Sequence, residues 1–345
     1  MIRLLIPWAR MSLRNNIGIR GRKIRELRSL IASGHLQLEP RRKCQLCGHS
    51  CSITIAKFDR YAIPVEYVCC KACSFIQTSA VFSEDSNKEF YSNHYRYLQE
   101  GGTPDQVFNA RFNRQVRNGK RILMRLQPQM SQDGLKKVVE IGSGAGGIVS
   151  VFLAAGFDVS GFDIDPSLLE IGKKRYGLPL HRGKFSASEN SVDVIILRHV
   201  VEHLSDLSPL LTSVRLALKP GGLLYVEVPG IRQIFRGKYR FNILEFFLLP
   251  HVAVYELRTL RQMITKYGFI FLRGDESIFG VFQAPELSDQ SLSQMELPYE
   301  PPDNLLTDLR KVEYKYWMHW PLGKLSLVVN STKKLWKTVF AIRKG

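Results

Sequence analysis

The sequence predicts a doubly wound α/β fold with a mostly parallel sheet, preceded by a small module held by cysteines. Three observations carry this. From about residue 137 to residue 228, short apolar runs alternate with helical stretches, the pattern of strands joined by crossover helices. The first such run, Val138-Val139-Glu140-Ile141, opens into a loop of glycines from Gly142 to Gly147 and then a helix. Ahead of it stand two C-x-x-C pairs. A chain of 345 residues has room for two domains, and an apolar fraction of 45% is that of a globular protein.

The elements follow in order. Residues 1–40 read as a basic amphipathic tail, helical and ending near Pro40. Residues 41–80 form the cysteine module, and residues 81–132 a helical linker or lid. Within the latter, Val107, Phe108, Phe112, Val116, Ile122 and Leu123 make an apolar stripe over 103–130. Gly134 punctuates the entry to the sheet domain, residues 133–284. The second strand is expected at Asp158–Asp163, the fourth just before His199 and the fifth before Pro229. Residues 231–256 interrupt the pattern with Phe235, Tyr239, Phe241, Phe246 and Phe247, an insertion expected over a substrate pocket. A helix at Leu257–Tyr267 and a hairpin through Phe279–Phe282 close the domain. Residues 285–345 read as a polar linker and a second basic tail.

Cys44, Cys47, Cys70 and Cys73 have the spacing of two zinc knuckles. Four thiolates close a tetrahedral shell with no open position, so the expected zinc is structural. Gly48 and Ser74 follow the second cysteine of each pair, where a small residue lets the backbone turn over the sulfur. Cys51 and Cys69 are left over and are expected to be buried free thiols.

The glycines Gly142, Gly144 and Gly147 also satisfy G-x-G-x-x-G, a dinucleotide fingerprint. An acid immediately ahead of the loop suits a ligand with a positive end better than a pyrophosphate. The run Glu140-Ile-Gly142-Ser143-Gly144-Ala-Gly146 closely resembles motif I of class I S-adenosylmethionine (SAM) dependent methyltransferases. Asp163, about twenty residues on, stands where an acid binds ribose hydroxyls. The segments Asp193 to His203 and Leu218-Lys-Pro-Gly221-Gly222-Leu resemble two further signatures of that family. The resemblance implies a Rossmann-like methyltransferase domain. It assigns SAM to Glu140, Gly142, Ser143, Gly144, Gly146, Asp163, Ile164 and Arg198. The chain departs from the family after the third strand. Leu178 to Ser186 is basic and lacks the usual acid, which leaves adenine to backbone groups or Phe185.

The order of cysteine module, acidic helix, Phe90-Tyr91-x-x-x-Tyr95 and SAM domain is similar to a bacterial group of methyltransferases. That group works in cell-surface polysaccharide and deoxysugar biosynthesis. The resemblance runs from about Lys43 to about Phe282. It implies a sugar acceptor, nucleotide-activated or on a lipid-linked glycan, with Tyr91 and Tyr95 either at the acceptor or packing the ribbon onto the catalytic domain. Methyl transfer to a hydroxyl or sugar carbon needs a base, and histidine is suited to it near neutral pH. The candidates are His251, His199 and His203, with Glu227 as a carboxylate alternative. Arg232, Arg236, Lys238 and Arg240 are candidates for a phosphate-binding pocket.

The net charge of +18 is unevenly spread. Residues 1–43 hold eleven Lys/Arg against two acids, and residues 303–345 nine against three, so the core is nearly neutral. Both ends also carry apolar residues, a composition that binds anionic membrane surfaces. Solvated tails, or tails packed on the body, are the alternatives. No secretory signal and no membrane-spanning run is evident, so the expected location is cytoplasmic, peripheral to the inner face of the membrane. Two other functions are compatible with the sequence: a zinc-ribbon RNA methyltransferase, suited to the basic charge, and a non-catalytic SAM-binding scaffold.

Overall fold

The computed structural model describes residues 18–95, 98, 104–130, 137–285 and 305–316. It opens with helix α1 (Gly18–Ala32) and strand β1 (Leu38–Pro40). Strands β2 (Ser52–Ala56), β3 (Tyr67–Cys70), β4 (Ile76–Thr78) and β5 (Ala80–Phe82) follow. Helix α2 (Glu84–Asn93) starts at Ser83, whose hydroxyl accepts the Ser86 N–H, with Glu84 and Asp85 in the first turn where the helix dipole favours acids. Helix α3 spans Pro104–Met130.

The large sheet alternates as its sequence requires: β6 (Lys137–Ile141), α4 (Gly147–Ala154), β7 (Asp158–Asp163), α5 (Pro166–Tyr176), β8 (Leu180–Arg182), β9 (Val192–Arg198), α6 (Ser208–Ala217) and β10 (Leu218–Glu227). Strand β11 (Ala253–Val254), helix α7 (Leu257–Thr265) and the hairpin β12 (Ile270–Asp275) and β13 (Phe279–Gln283) complete it. The seven strands lie in the order β12-β13-β10-β9-β6-β7-β8. Strands β6 to β10 pair in parallel, and β13 joins β10 antiparallel. The expected doubly wound α/β fold is therefore present. The order reverses between β6 and β9, the point at whose carboxyl ends sheets of this kind bind ligands. Strand β9 is buried on both faces, which explains its unbroken Val-Asp-Val-Ile-Ile-Leu run.

A second sheet, β11-β4-β3-β2, joins the cysteine module to the sheet domain, because β11 comes from the 231–256 insertion. A hydrophobic core sits on it. Ile24, Leu27, Ile55, Tyr67, Ile76, Phe90, Ile234, Phe247, Leu305, Leu309 and Val312 are among its members. This changes two expectations. The segment 18–40 is not a free tail: α1 ends at Ala32, and residues 38–40 pair with β5, because Ile24, Leu27 and Leu36 need cover. Residues 305–316 form a helix whose Leu305, Leu309 and Val312 face the same core. The insertion packs against the cysteine module, and its Leu249, Pro250 and Val252 also line a cavity. The membrane expectation for the outer ends falls on residues 1–17 and 317–345, outside the described residues. No helix of the described residues is long and apolar enough to cross a membrane.

Candidate active site and metal centre

The glycine loop carries its chemistry in its backbone. Gly142, Gly144 and Gly146 have φ of +81°, +53° and +81°, which side chains with a Cβ rarely adopt. A Cβ at Gly142 would also meet Val200 at 2.7 Å. The N–H groups of Gly142 and Ser143 donate to the Phe162 carbonyl at 2.8 and 3.0 Å, seating the loop against β7. Asp163 closes the cradle: its Oδ2 accepts the Gly144 N–H at 2.7 Å and its Oδ1 the Asp165 N–H at 2.8 Å. Glu140, at the end of β6, is 1% exposed, and its Oε2 has no hydrogen-bond partner. Burial pushes its carboxyl well above the usual range, against the pull of Arg198. A buried carboxyl with one oxygen left unpartnered fits a ligand bearing an ammonium. Ser143 Oγ is likewise buried and unpartnered. Ile164, 60% exposed, offers an apolar surface directly after Asp163.

Sequence reasoning missed Gln115. Its Nε2 donates to the Ser143 carbonyl (2.9 Å) and its Oε1 accepts the Gly147 N–H (3.1 Å), so α3 braces the loop from outside the sheet. The apolar stripe on that helix located the contact face but not this residue.

Arg198 does not point freely at the cofactor loop. Its Nε donates to Glu227 Oε1 at 2.8 Å. Arg121 reaches the same oxygen at 2.9 Å, while Arg125 (3.1 Å) and the Tyr225 hydroxyl (2.7 Å) occupy Oε2. Burial alone would raise the Glu227 carboxyl, but Arg198, Tyr225 and Arg121 outweigh it and hold it below the usual range. Glu227 is therefore a poor base, and that alternative is set aside. Arg121 and Arg125 were not foreseen; their i, i+4 spacing puts them on one helix face, but nothing local names the partner.

The basic loop also differs from expectation. Arg232 is engaged by Glu256 (2.6 Å), Glu276 (3.7 Å) and Asp308 (3.9 Å), so it is a structural ion pair and not a free phosphate ligand. Lys238 bonds Gln233, and Arg236 and Arg240 are exposed.

All three candidate histidines gather in one place. His199 follows β9 with φ of +53° and its ring half-exposed; its Nδ1 lies 3.0 Å from Glu202 Oε1. His203 Nδ1 lies 2.9 Å from the Pro250 carbonyl and 3.2 Å from the Tyr91 hydroxyl. His251 meets the His203 ring edge-on, with centroids 4.8 Å apart. Burial pushes His251 down to about 3 and lowers His203. Burial would raise Glu202, but the His199 hydrogen bond and the neighbouring imidazoles draw it down to about 2. Tyr91 and Tyr95 flank His203 at ring-centroid distances of 6.3 and 5.7 Å. A cavity beside them is lined by Phe82, Phe90, Tyr91, His203, Leu249 and Pro250, among others.

In the cysteine module, the four sulfurs of Cys44, Cys47, Cys70 and Cys73 lie within 4.8 Å of one another. The Cys44–Cys73 and Cys47–Cys70 separations are both 3.6 Å. A tetrahedron with Zn–S of about 2.3 Å has edges of about 3.75 Å, so the set fits zinc closely. A hydrogen bond from Cys73 draws Cys44 down to about 5, while burial pushes Cys47 up to about 11: such crowded thiols cannot all ionise without a cation. Cys69 is a buried thiol, pushed up to about 12 by burial, as expected of a bystander. Cys51, just ahead of β2, is exposed, contrary to expectation.

Residues 110–272 match a family model described as a methyltransferase domain, so the chain carries a domain of that kind. It is similar to a SAM-dependent methyltransferase from Aquifex aeolicus (15% identity over 53% of this chain and 98% of that one, TM-score 0.39). It is also similar to one from Methanosarcina mazei (18%, 44% and 94%, TM-score 0.35). A third likeness is to human N-acetylserotonin methyltransferase in complex with SAM (20%, 53% and 55%, TM-score 0.42). No curated protein matches the chain.

Proposed function

We propose that the protein transfers the methyl group of SAM to a sugar, nucleotide-activated or on a lipid-linked glycan, in cell-surface polysaccharide biosynthesis. The observation that carries the catalytic part is the His199–Glu202 pair at the carboxyl end of β9, next to the glycine loop. Glu140, the glycine loop of Gly142, Gly144 and Gly146, Ser143 and Asp163 would hold SAM, with Ile164 beside the ribose acid. When bound, SAM supplies a methyl group activated by a sulfonium. Glu202 accepts the Nδ1–H of His199 and so fixes the tautomer with its Nε2 lone pair facing outward. That nitrogen takes the acceptor's proton as the new bond forms. Tyr91 lines the acceptor cavity, and Tyr95 packs against Tyr91 and His203 beside it. The four cysteines hold a structural zinc. The work is cytoplasmic, and residues 1–17 and 317–345 attach the enzyme to anionic membrane.

Methyl-labelled SAM is incubated with nucleotide sugars, lipid-linked glycans and RNA from a host lysate. Label in a sugar fraction supports the reading; label only in RNA overturns it in favour of RNA modification, and label nowhere in favour of a scaffold. His199→Gln is expected to lower transfer by a factor of about 10²–10⁴ while SAM affinity persists. For the membrane part, a chain lacking 1–17 and 317–345 is expected to leave the vesicle pellet; continued pelleting removes that part.

A further inference from the structure

We propose that Glu202, His203 and His251 bind a divalent transition-metal ion at the wall of the acceptor cavity, separate from the cysteine cluster. One ligand atom from each lies within 4.8 Å of the other two. Glu202 is 1% exposed, and only one of its oxygens is used: Oε1 meets His199, while Oε2 is buried with no hydrogen-bond partner. An ionised oxygen left bare in the interior is costly, and an ion is one of the few things that offsets it. His203 gives the second indication. Its Nδ1–H donates to the Pro250 carbonyl, which turns the Nε2 lone pair toward Glu202, 3.9 Å from Oε1. A backbone carbonyl holding the far nitrogen is the usual way a metal-binding imidazole is oriented. The third ligand arrives from the insertion, since His251 directly follows the same Pro250.

The donors stand somewhat wider than the separations of about 3–3.5 Å around a bound ion, so binding draws them inward by about 1 Å. Two imidazoles and one carboxylate suit Mn²⁺, Fe²⁺, Co²⁺ or Zn²⁺ and leave coordination positions open. Of the three ligands, His203 also lines the cavity of Tyr91 and Pro250, which places that cavity beside the site. There an oxygen of the acceptor, a hydroxyl or a phosphate, completes the shell. That use of the ion rests on the sugar-transfer reading; the binding itself does not.

The test is Mn²⁺ uptake by the full-length, zinc-loaded protein, followed by loss of the free-ion electron paramagnetic resonance signal. Mn²⁺ is chosen because thiolate clusters disfavour it. One Mn²⁺ per chain is expected, with affinity weakened at least about tenfold in His251→Ala and in Glu202→Gln, and largely retained in His199→Ala. His203→Gln serves as the second ligand variant if the thermal melt of His251→Ala shows misfolding. No uptake by the wild type at millimolar Mn²⁺ overturns the proposal, as does equal uptake by folded ligand variants. Neither readout depends on methyl transfer, so failure of the sugar reading leaves this test intact.

Discussion

Replacing Glu227 with alanine removes the one carboxylate that three arginines share. Its side chain is 7% exposed, and the partners do not escape equally. Arg121 is 44% exposed and can turn into water, while Arg125 and Arg198, at 18% and 16%, cannot. Removing one partner of a buried pair costs about 3–5 kcal/mol, and the freedom of Arg121 sets the expectation at the lower end, about 3 kcal/mol. At roughly 2–4 °C per kcal/mol for a domain of this size, Tm falls by about 6–12 °C. Glu227→Gln keeps an acceptor at one position but turns an amide toward Arg125 and Tyr225, so it falls between. The assay is thermal melting with a parallel urea titration. The pH dependence has a definite sign. The folded carboxyl lies below its ordinary value of 4.5, so its stabilisation is complete above that value and is lost as pH falls through the folded one. The gap between wild type and Glu227→Ala therefore stays constant from pH 8 to about 5 and closes in more acid solution. A Tm loss under about 2 °C at neutral pH, or a gap that widens in acid, refutes the reasoning.

Further expectations concern the loop and the cysteines. Asp163→Ala should abolish SAM binding at micromolar concentrations, since the residue serves both the expected ribose contact and the Gly144 N–H; unchanged calorimetric affinity contradicts the assignment. Gly147→Ala would place a Cβ 2.5 Å from the Phe112 carbonyl oxygen, so it should cost about 1–3 kcal/mol in urea unfolding, and an unchanged midpoint counts against the α3–α4 packing. Elemental analysis should find one zinc per chain, lost in Cys73→Ser together with cooperative melting of the module; a Cys73→Ser protein of wild-type stability rules out a structural metal.

The parts that were legible in sequence are those whose residues lie close together along the chain. The Glu140-to-Gly146 run, Asp163 at the next strand end and the paired cysteines each encode their geometry within a few residues, so spacing alone locates them. What was not legible depends on distant partners. Arg121 and Arg125 find Glu227 about a hundred residues away, and Arg232 finds Glu256, Glu276 and Asp308. Each was visible as a charge, but a charge does not name its counter-ion. His203 and His251 were nominated separately as competing bases; only the fold shows that they touch. The pairing of β11 with β4 joins residues about 175 positions apart, and a two-residue strand has no periodicity to reveal it.

That pairing bears on how the molecule is made. The core around β2 to β4 draws on the start of the chain, on the insertion and on Leu305 to Val312. A ribosome releases these pieces in that order, so the first segment emerges long before its last cover is synthesised. The sulfurs of Cys44 to Cys73, by contrast, are all available early, and a metal clasping them would hold the nascent half together during the wait.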